Sequence, residues 1–441
     1  MKRMATIAAC LLLAPVLCHA YDVEVIQNPG DPANRVNLAI LGDGYRMEDQ
    51  DQLTNDVNSF IEELWAETPY GEYKDFLNIN LVHVISNENG ADRGTYGEER
   101  DTALGAHFFC ADIERLLCID NAAVIDVVMD HVPESDFTIV IVNDPKYGGG
   151  GGVILAISTN PQSGDIVEHE LGHGLANLAD EYEEPYPGFP ECGGDCPEPN
   201  VTVNTVYDDI KWNAWIDEDT PLPTPDTSVN NDVIGAFEGA RFQSTGVFRP
   251  KRDCKMRALG IPFCEVCSEA LIFSIYNFVE PIDSMDPEDE ELALSGDENV
   301  VLEVFYPTPA PDTMRFTWRI DGTVSPESKS AFTVAAGSLG DGVHTISVTV
   351  DDDTPLVRSA PGTMLTSSRQ WTIDVSDAGP GGDTDTDTDA DAGSHTDTDT
   401  DTDTDVDAGS EPDSNDSDCG CRVIGRGASA FLRLVDLYRY L

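Results

Sequence analysis

The chain has 441 residues, 40% of them hydrophobic, and 82 acidic against 25 basic side chains give a formal net charge of −57 at pH 7. That charge argues against nucleic acid and against an anionic membrane surface as partners. The fifteen carboxylates between Asp383 and Asp418 leave the remainder strongly acidic, and the length has room for two or three domains at about 100–200 residues each.

Lys2 and Arg3 precede an apolar run from Met4 to Leu17 that ends in Cys18-His19-Ala20. This order of a basic start, a short apolar stretch and a small residue is that of a signal peptide over residues 1–20, so the expected location is secreted or extracellular. A lipid on Cys18 is disfavoured by Leu17 before it, where a small side chain is wanted. No later stretch reaches the ~18 consecutive apolar residues of a membrane span, so the mature chain is expected to be soluble after export.

Val36 to Leu41 reads as a buried strand, and Leu53, Val57, Phe60, Ile61, Leu64 and Trp65 then fall on one face of a helix. Phe76 to Ile85 is a further β-rich run, Asn121 to His131 is helical in pattern, and Phe137–Val142 and Val153–Ile157 read as short buried strands. Their alternation predicts an α/β (α+β) catalytic domain on a mixed sheet over residues 21–285. The glycines from Gly148 to Gly152 suit either close backbone approach or a mobile connection, and without a following Lys-Ser/Thr they are no phosphate loop.

Seven of the eleven cysteines fall in this folded part. In an oxidising compartment Cys110 with Cys118, Cys192 with Cys196, and Cys254 with Cys264 or Cys267 can close short disulfide loops, leaving one thiol over. The Cys264-x-x-Cys267 pair also suits half a zinc knuckle, but no second such pair exists, so a disulfide role is preferred.

Alternating apolar residues at Met314–Ile320, Ile346–Val350 and Trp371–Val375 predict a small all-β, immunoglobulin-like sandwich over 286–377, a spacer or accessory binding module. Residues 378–418 are Asp-Thr repeats too polar to bury a core and read as a disordered linker. Alternating Asp residues suggest calcium as a weaker second ion, although the repeat lacks the glycines that fold a calcium loop. Residues 419–441 form a cysteine-containing tail.

The chemistry is concentrated in His169-Glu170-Leu171-Gly172-His173. On a helix, residues four apart share a face, so both imidazoles can reach one Zn2+ while Glu170 serves as catalytic base for a water. Ile166, Val167, Leu171, Leu175 and Leu178 supply the apolar residues that would bury such a helix. Amide-bond hydrolysis of a protein or peptide follows, although an esterase or deacetylase would need the same residues.

The run HELGHGLANLADEY (169–182) resembles the signature of the IgA-specific metallopeptidase family of zinc peptidases. VNLAILGDGY at Val36–Tyr45, DTALGAHFFCADIERLLCID at Asp101–Asp120, KWNAWI at Lys211–Ile216 and AFEGARFQSTGVFRPKRDCKM at Ala236–Met256 resemble it as well. The resemblance implies a secreted zinc endopeptidase with a zincin/metzincin-like catalytic domain; members need not cleave immunoglobulin. By analogy with metzincins, Met256 would form a methionine turn beneath the zinc ligands, with a plain core methionine as the other reading. The same analogy gives Asp180 as third ligand. A straight helix would carry it about 16 Å along the axis from His169, so the chain must turn back, and Asn177 tolerates the left-handed conformation that does this. Glu181 and Glu183 compete for the role, and Tyr182 reads as a packing residue behind the ligands. Asp418-Cys419-Gly420-Cys421-Arg422 resembles the opening of a myxobacterial-type C-terminal sorting signal, but the following residues lack its membrane helix, so the resemblance implies a degenerate tail and leaves simple secretion preferred over surface anchoring. Two further functions compete: a non-catalytic surface binding protein with a structural zinc, and a zinc amidase or deacetylase.

Overall fold

The computed structural model describes residues 21–93, 99–152, 154–359 and 362–376. The expected signal peptide (1–20), acidic linker (378–418) and cysteine-containing tail (419–441) lie outside the described residues.

Six strands, β1 (Val23–Gln27), β2 (Val36–Asp43), β3 (Leu77–Val82), β4 (Phe137–Val142), β5 (Gly149–Gly150) and β6 (Leu155–Ser158), form one sheet in the order β1-β3-β2-β4-β6-β5. The inner four are parallel and the two edge strands antiparallel. Every residue of β2 is buried, because side chains alternate between two covered faces. Leu38 and Ile40 pack on one face with helices α1 (Gln50–Ala66) and α3 (Gly164–Ala176), while Ala39 and Leu41 pack on the other with Val124 of α2 (Asn121–His131). α1 buries Leu53, Val57, Phe60, Ile61 and Leu64 at helical spacing. α2 starts at Asp120, whose carboxylate accepts from the N–H groups of Ala122 and Ala123, two donors the helix itself leaves unpaired.

α4 (Glu265–Tyr276) is buried nearly all round and lies against α3. Such a helix presents no polar stripe, and the periodic reading of the sequence passes over it. Between α3 and α4 the chain forms a two-stranded hairpin, β7 (Phe237–Ala240) and β8 (Gln243–Arg249).

Beyond α4 the strands are β9 (Ser284–Asp286), β10 (Glu291–Ser295), β11 (Asn299–Phe305), β12 (Met314–Ile320), β13 (Thr323–Val324), β14 (Ala331–Ala335), β15 (Gly342–Asp352) and β16 (Thr366–Ser376). They build a five-stranded sheet, β10-β16-β15-β12-β13, and a three-stranded one, β14-β11-β9. Trp318, Trp371, Ile346, Val348 and Val350 from the first meet Leu302, Val304 and Val334 from the second. That core runs on into Tyr73, Phe76, Ile272 and Ile275. The hydroxyls of Tyr73 and Tyr276 both donate to Asp352 Oδ2, at 2.6 and 2.7 Å. The whole is a mixed α/β architecture of several sheets and few helices.

Candidate metal centre

His169 and His173 lie one turn apart on α3. The helix stops at Asn177, which adopts the left-handed conformation (φ 50°, ψ 38°), with its own N–H on His173 O and that of Leu178 reaching back to Gly172 O at 3.1 Å. Asn is among the few residues that accept this turn. The chain folds back and brings Asp180 Oδ1 to 3.1 Å from His169 Nε2 and 3.4 Å from His173 Nε2. The two Nε2 atoms are 3.1 Å apart.

The other ring nitrogens are already committed. His169 Nδ1 faces the Lys255 carbonyl at 3.0 Å and His173 Nδ1 faces that of Leu178 at 2.6 Å. A carbonyl only accepts, so both Nδ1 atoms carry hydrogen, and in the neutral rings both Nε2 atoms present lone pairs. Two lone pairs and a carboxylate oxygen therefore converge on one point. Their separations match the edge of about 3.3 Å expected between donors 2.0–2.1 Å from a tetrahedral zinc. The arrangement draws in positive charge: burial alone would depress the His173 pKa, but Asp180 outweighs it and lifts it to about 9. Asp180, in spite of its own burial, is held well below the usual carboxylate range by the two imidazoles. The residues present thus fit a divalent cation.

Glu170 stands beside His169, and its carboxylate rests against the glycine run. A Cβ on Gly151 would lie 1.8 Å from Glu170 Oε2. Its neighbours are equally confined, since a Cβ on Gly148 would meet Phe108 and the Arg115 carbonyl, and one on Gly150 the Leu117 carbonyl at 2.5 Å. Close backbone approach, rather than a mobile connection, is what Gly148 to Gly151 provide here.

The other two acidic candidates point elsewhere. Glu181 is fully buried, with Oε1 accepting from Asn200 Nδ2 and facing Cys267 Sγ. Glu183 pairs with Arg257 at 3.1 Å. Burial, then the nearby Asp180 carboxylate, push the Tyr182 pKa up, so the hydroxyl keeps its proton. Tyr182 also lines an open cavity of about 400 Å3 with Arg115, Glu183, Glu184, Arg257 and Ala258.

Met256 is fully buried beneath α3, its Sδ 2.8 Å from where a Gly172 Cβ would stand, so the glycine inside the motif makes room for the methionine. Its carbonyl accepts from Glu181 N at 2.8 Å. Two residues with no motif of their own hold this part of the chain in place. Asn200 bonds both backbone groups of Ala179. Lys255 offers its carbonyl to His169 and sends its ammonium, 2% exposed, among Glu67, Asp165 and Glu168.

The disulfides differ in part from expectation. Cys110–Cys118 and Cys192–Cys196 are bonded, but Cys254, Cys264 and Cys267 are buried free thiols. The expected bridge from Cys254 is not formed: its Sγ stands 3.6 Å from that of Cys267, and the three sulfurs cluster with Glu181 instead of pairing.

No curated protein matches the chain. Among solved structures, a quinonprotein alcohol dehydrogenase-like protein from Bacteroides thetaiotaomicron is similar over 20% of this chain and 17% of its own, at 9% identity and a TM-score of 0.15. A protein of the Bacteroides ovatus mixed-linkage glucan utilization locus is similar over 19% of each chain, at 20% identity and a TM-score of 0.15. Fibronectin(III)-like modules of Clostridium thermocellum are similar over 21% of this chain and 93% of theirs, at 19% identity and a TM-score of 0.15. The chain spans less than a fifth of the length of the first two, and likeness at this TM-score carries no argument about fold or activity. The family model described as IgA Peptidase M64 matches residues 24–232 and 226–275, more than half of the chain and all of the segments that build the centre around His169, His173 and Asp180, so the chain belongs to the IgA Peptidase M64 family.

Proposed function

We propose that the chain is a secreted, zinc-dependent endopeptidase in which His169, His173 and Asp180 hold the metal and Glu170 is the general base. The observation that carries this reading is the convergence of three lone pairs, two of them fixed in direction by backbone carbonyls on the far side of the rings. Membership of a peptidase family supports a peptide or protein substrate. A zinc ion held there would polarise the scissile carbonyl and lower the pKa of a water towards ~7.

The chain's own residues do the rest. Glu170, on the same helix as both imidazoles, takes the proton of the attacking water and delivers it to the departing amine. Gly151 lets the backbone close against that carboxylate and fix its position. The carbonyls of Lys255 and Leu178 keep both rings in the tautomer that leaves Nε2 free to bind. The cavity beside Tyr182 is open, which suits an extended chain better than a small amidase substrate. A carboxylate of no evident structural use beside the first ligand likewise favours catalysis over a purely structural zinc.

The fold reading that goes with this is a zincin/metzincin-like catalytic domain over 21–285, with Met256 as its methionine turn, and an immunoglobulin-like accessory sandwich over 286–377. Export by residues 1–20, a solvated linker at 378–418 that holds calcium at most weakly, and a tail at 419–441 that opens like a sorting signal complete the proposal. Mass spectrometry of peptides released from a protein mixture, with and without a zinc chelator, tests it. Chelator-sensitive internal cleavages are expected; release of acetate or small amides with no peptide cleavage would overturn the endopeptidase reading.

A further inference from the structure

We propose that Cys254, Cys264, Cys267 and Glu181 form a second metal site, structural in role, which takes a zinc ion through three thiolate sulfurs and one carboxylate oxygen. One ligand atom from each lies within 4.8 Å of all the others. All four residues are buried, none more than 2% exposed. Cys254 Sγ and Cys267 Sγ are 3.6 Å apart, and Cys267 Sγ is 3.3 Å from Glu181 Oε1. Sulfurs about 2.3 Å from a tetrahedral zinc stand about 3.8 Å apart, so the spacing is that of ligands around an ion rather than of a bonded pair.

The second observation is Glu181 itself. It is fully buried, and while Oε1 meets Asn200 and Cys267, Oε2 has no hydrogen-bond partner. A carboxylate oxygen left unpaired in a protein core is costly unless a cation or proton meets it. Three thiols arranged around it supply the remaining ligands of a cation that favours sulfur.

The local backbone suits thiolates. Cys264 caps the start of α4 and Cys267 lies in its first turn, so both sit at the positive end of that helix. The Cys264 N–H points at Cys254 Sγ at 3.2 Å. Four protein ligands and no solvent access leave no open position, which separates this site from a catalytic one. Binding releases the thiol protons to solvent and involves no change of oxidation state.

The placement gives the site its purpose. Glu181 follows Asp180, and Cys254 precedes Lys255, whose carbonyl orients His169. An ion joining Glu181 to Cys254 would pin both segments behind the first centre, and α4 with them. The inference stands independently of the peptidase reading, because its ligands are a different set.

The test uses the full chain, expressed in cobalt-supplemented medium and purified without reductant, alongside the His169→Ala/His173→Ala double variant. Only thiolate ligation produces sulfur-to-cobalt charge-transfer absorption in the near ultraviolet, and both proteins are expected to show it. Metal content should fall from about two ions per chain to about one in the double variant. Cys267→Ser should lose the band; because the unaltered chain already decides the question, misfolding of that variant would not rescue the idea. Absence of the band in the unaltered chain, whether the cysteines are then found as free thiols or as a disulfide by peptide mapping, would overturn the proposal.

Discussion

Replacing Gly151 by alanine separates positioning of the base from binding of the metal. The added Cβ would lie 1.8 Å from Glu170 Oε2 and 2.4 Å from its Cδ. To reach an ordinary contact distance the carboxylate must retreat by about 1.5 Å. The obstacle is the far end of a flexible side chain, so α3 need not move and the imidazoles keep their carbonyl partners. Proton transfer needs the base within about 2.6–3.2 Å of its target, and a misplacement of about 1 Å can cost on the order of 100-fold. Gly151→Ala is therefore expected to lower kcat by about 100-fold, roughly 2.7 kcal/mol of transition-state stabilisation. Zinc content and Tm should stay close to those of the parent. The assay is cleavage of a fluorogenic peptide with metal content measured on the same sample. Full activity would refute the contact between the glycine run and the base, and loss of zinc would mean that the glycine supports the ligands instead.

Glu170→Gln should retain metal and fold while losing about 100- to 10,000-fold in kcat, measured by the same peptide assay. Asp180→Ala should lose on dialysis the ion held with His169 and His173, about one of two per chain, whereas Glu183→Ala, which breaks only the pair with Arg257, should keep both, as read by elemental analysis. Asn177→Val forces a β-branched residue into the left-handed conformation, so a loss of about 1–2 kcal/mol is expected in chemical denaturation, with Asn177→Gly close to neutral. Lys255→Met strands Glu67, Asp165 and Glu168 without their cation. It should cost about 3–5 kcal/mol of stability by denaturant titration, while the carbonyl that orients His169 remains.

Local signals explain what could be read without coordinates. The α2 boundaries are visible because Asp120 is a capping residue and apolar residues follow it at helical spacing. The stop of α3 is visible because Asn177 is the residue there that best tolerates a left-handed turn, while Asp180 is singled out only by the metzincin analogy that counts from that turn. α4 leaves no such trace, since a helix buried on all sides has no polar stripe against which to measure a period. β5 consists of two glycines, whose residue type carries no strand preference; only pairing with β6 makes it a strand.

The cysteine cluster shows a deeper limit. Loop-closing pairs can be proposed from short spacing, and Cys110–Cys118 and Cys192–Cys196 follow that rule. By the same rule Cys254 belongs with Cys264 or Cys267, and the fourth member, Glu181, lies more than seventy residues away, where it reads as a rival for the other metal centre. What separates Asp180 from Glu181 is the side of the backbone on which each emerges. The segment is held from both flanks, by Arg241 N on the Asp180 carbonyl and by Glu181 N on the Met256 carbonyl. Adjacent side chains of an extended segment point to opposite faces, so once Asp180 faces the imidazoles Glu181 must enter the core, and a carboxylate there needs a partner. The sequence reading stops one residue short because that alternation has consequences only when the chain on the far side, Cys254 to Cys267, is in place.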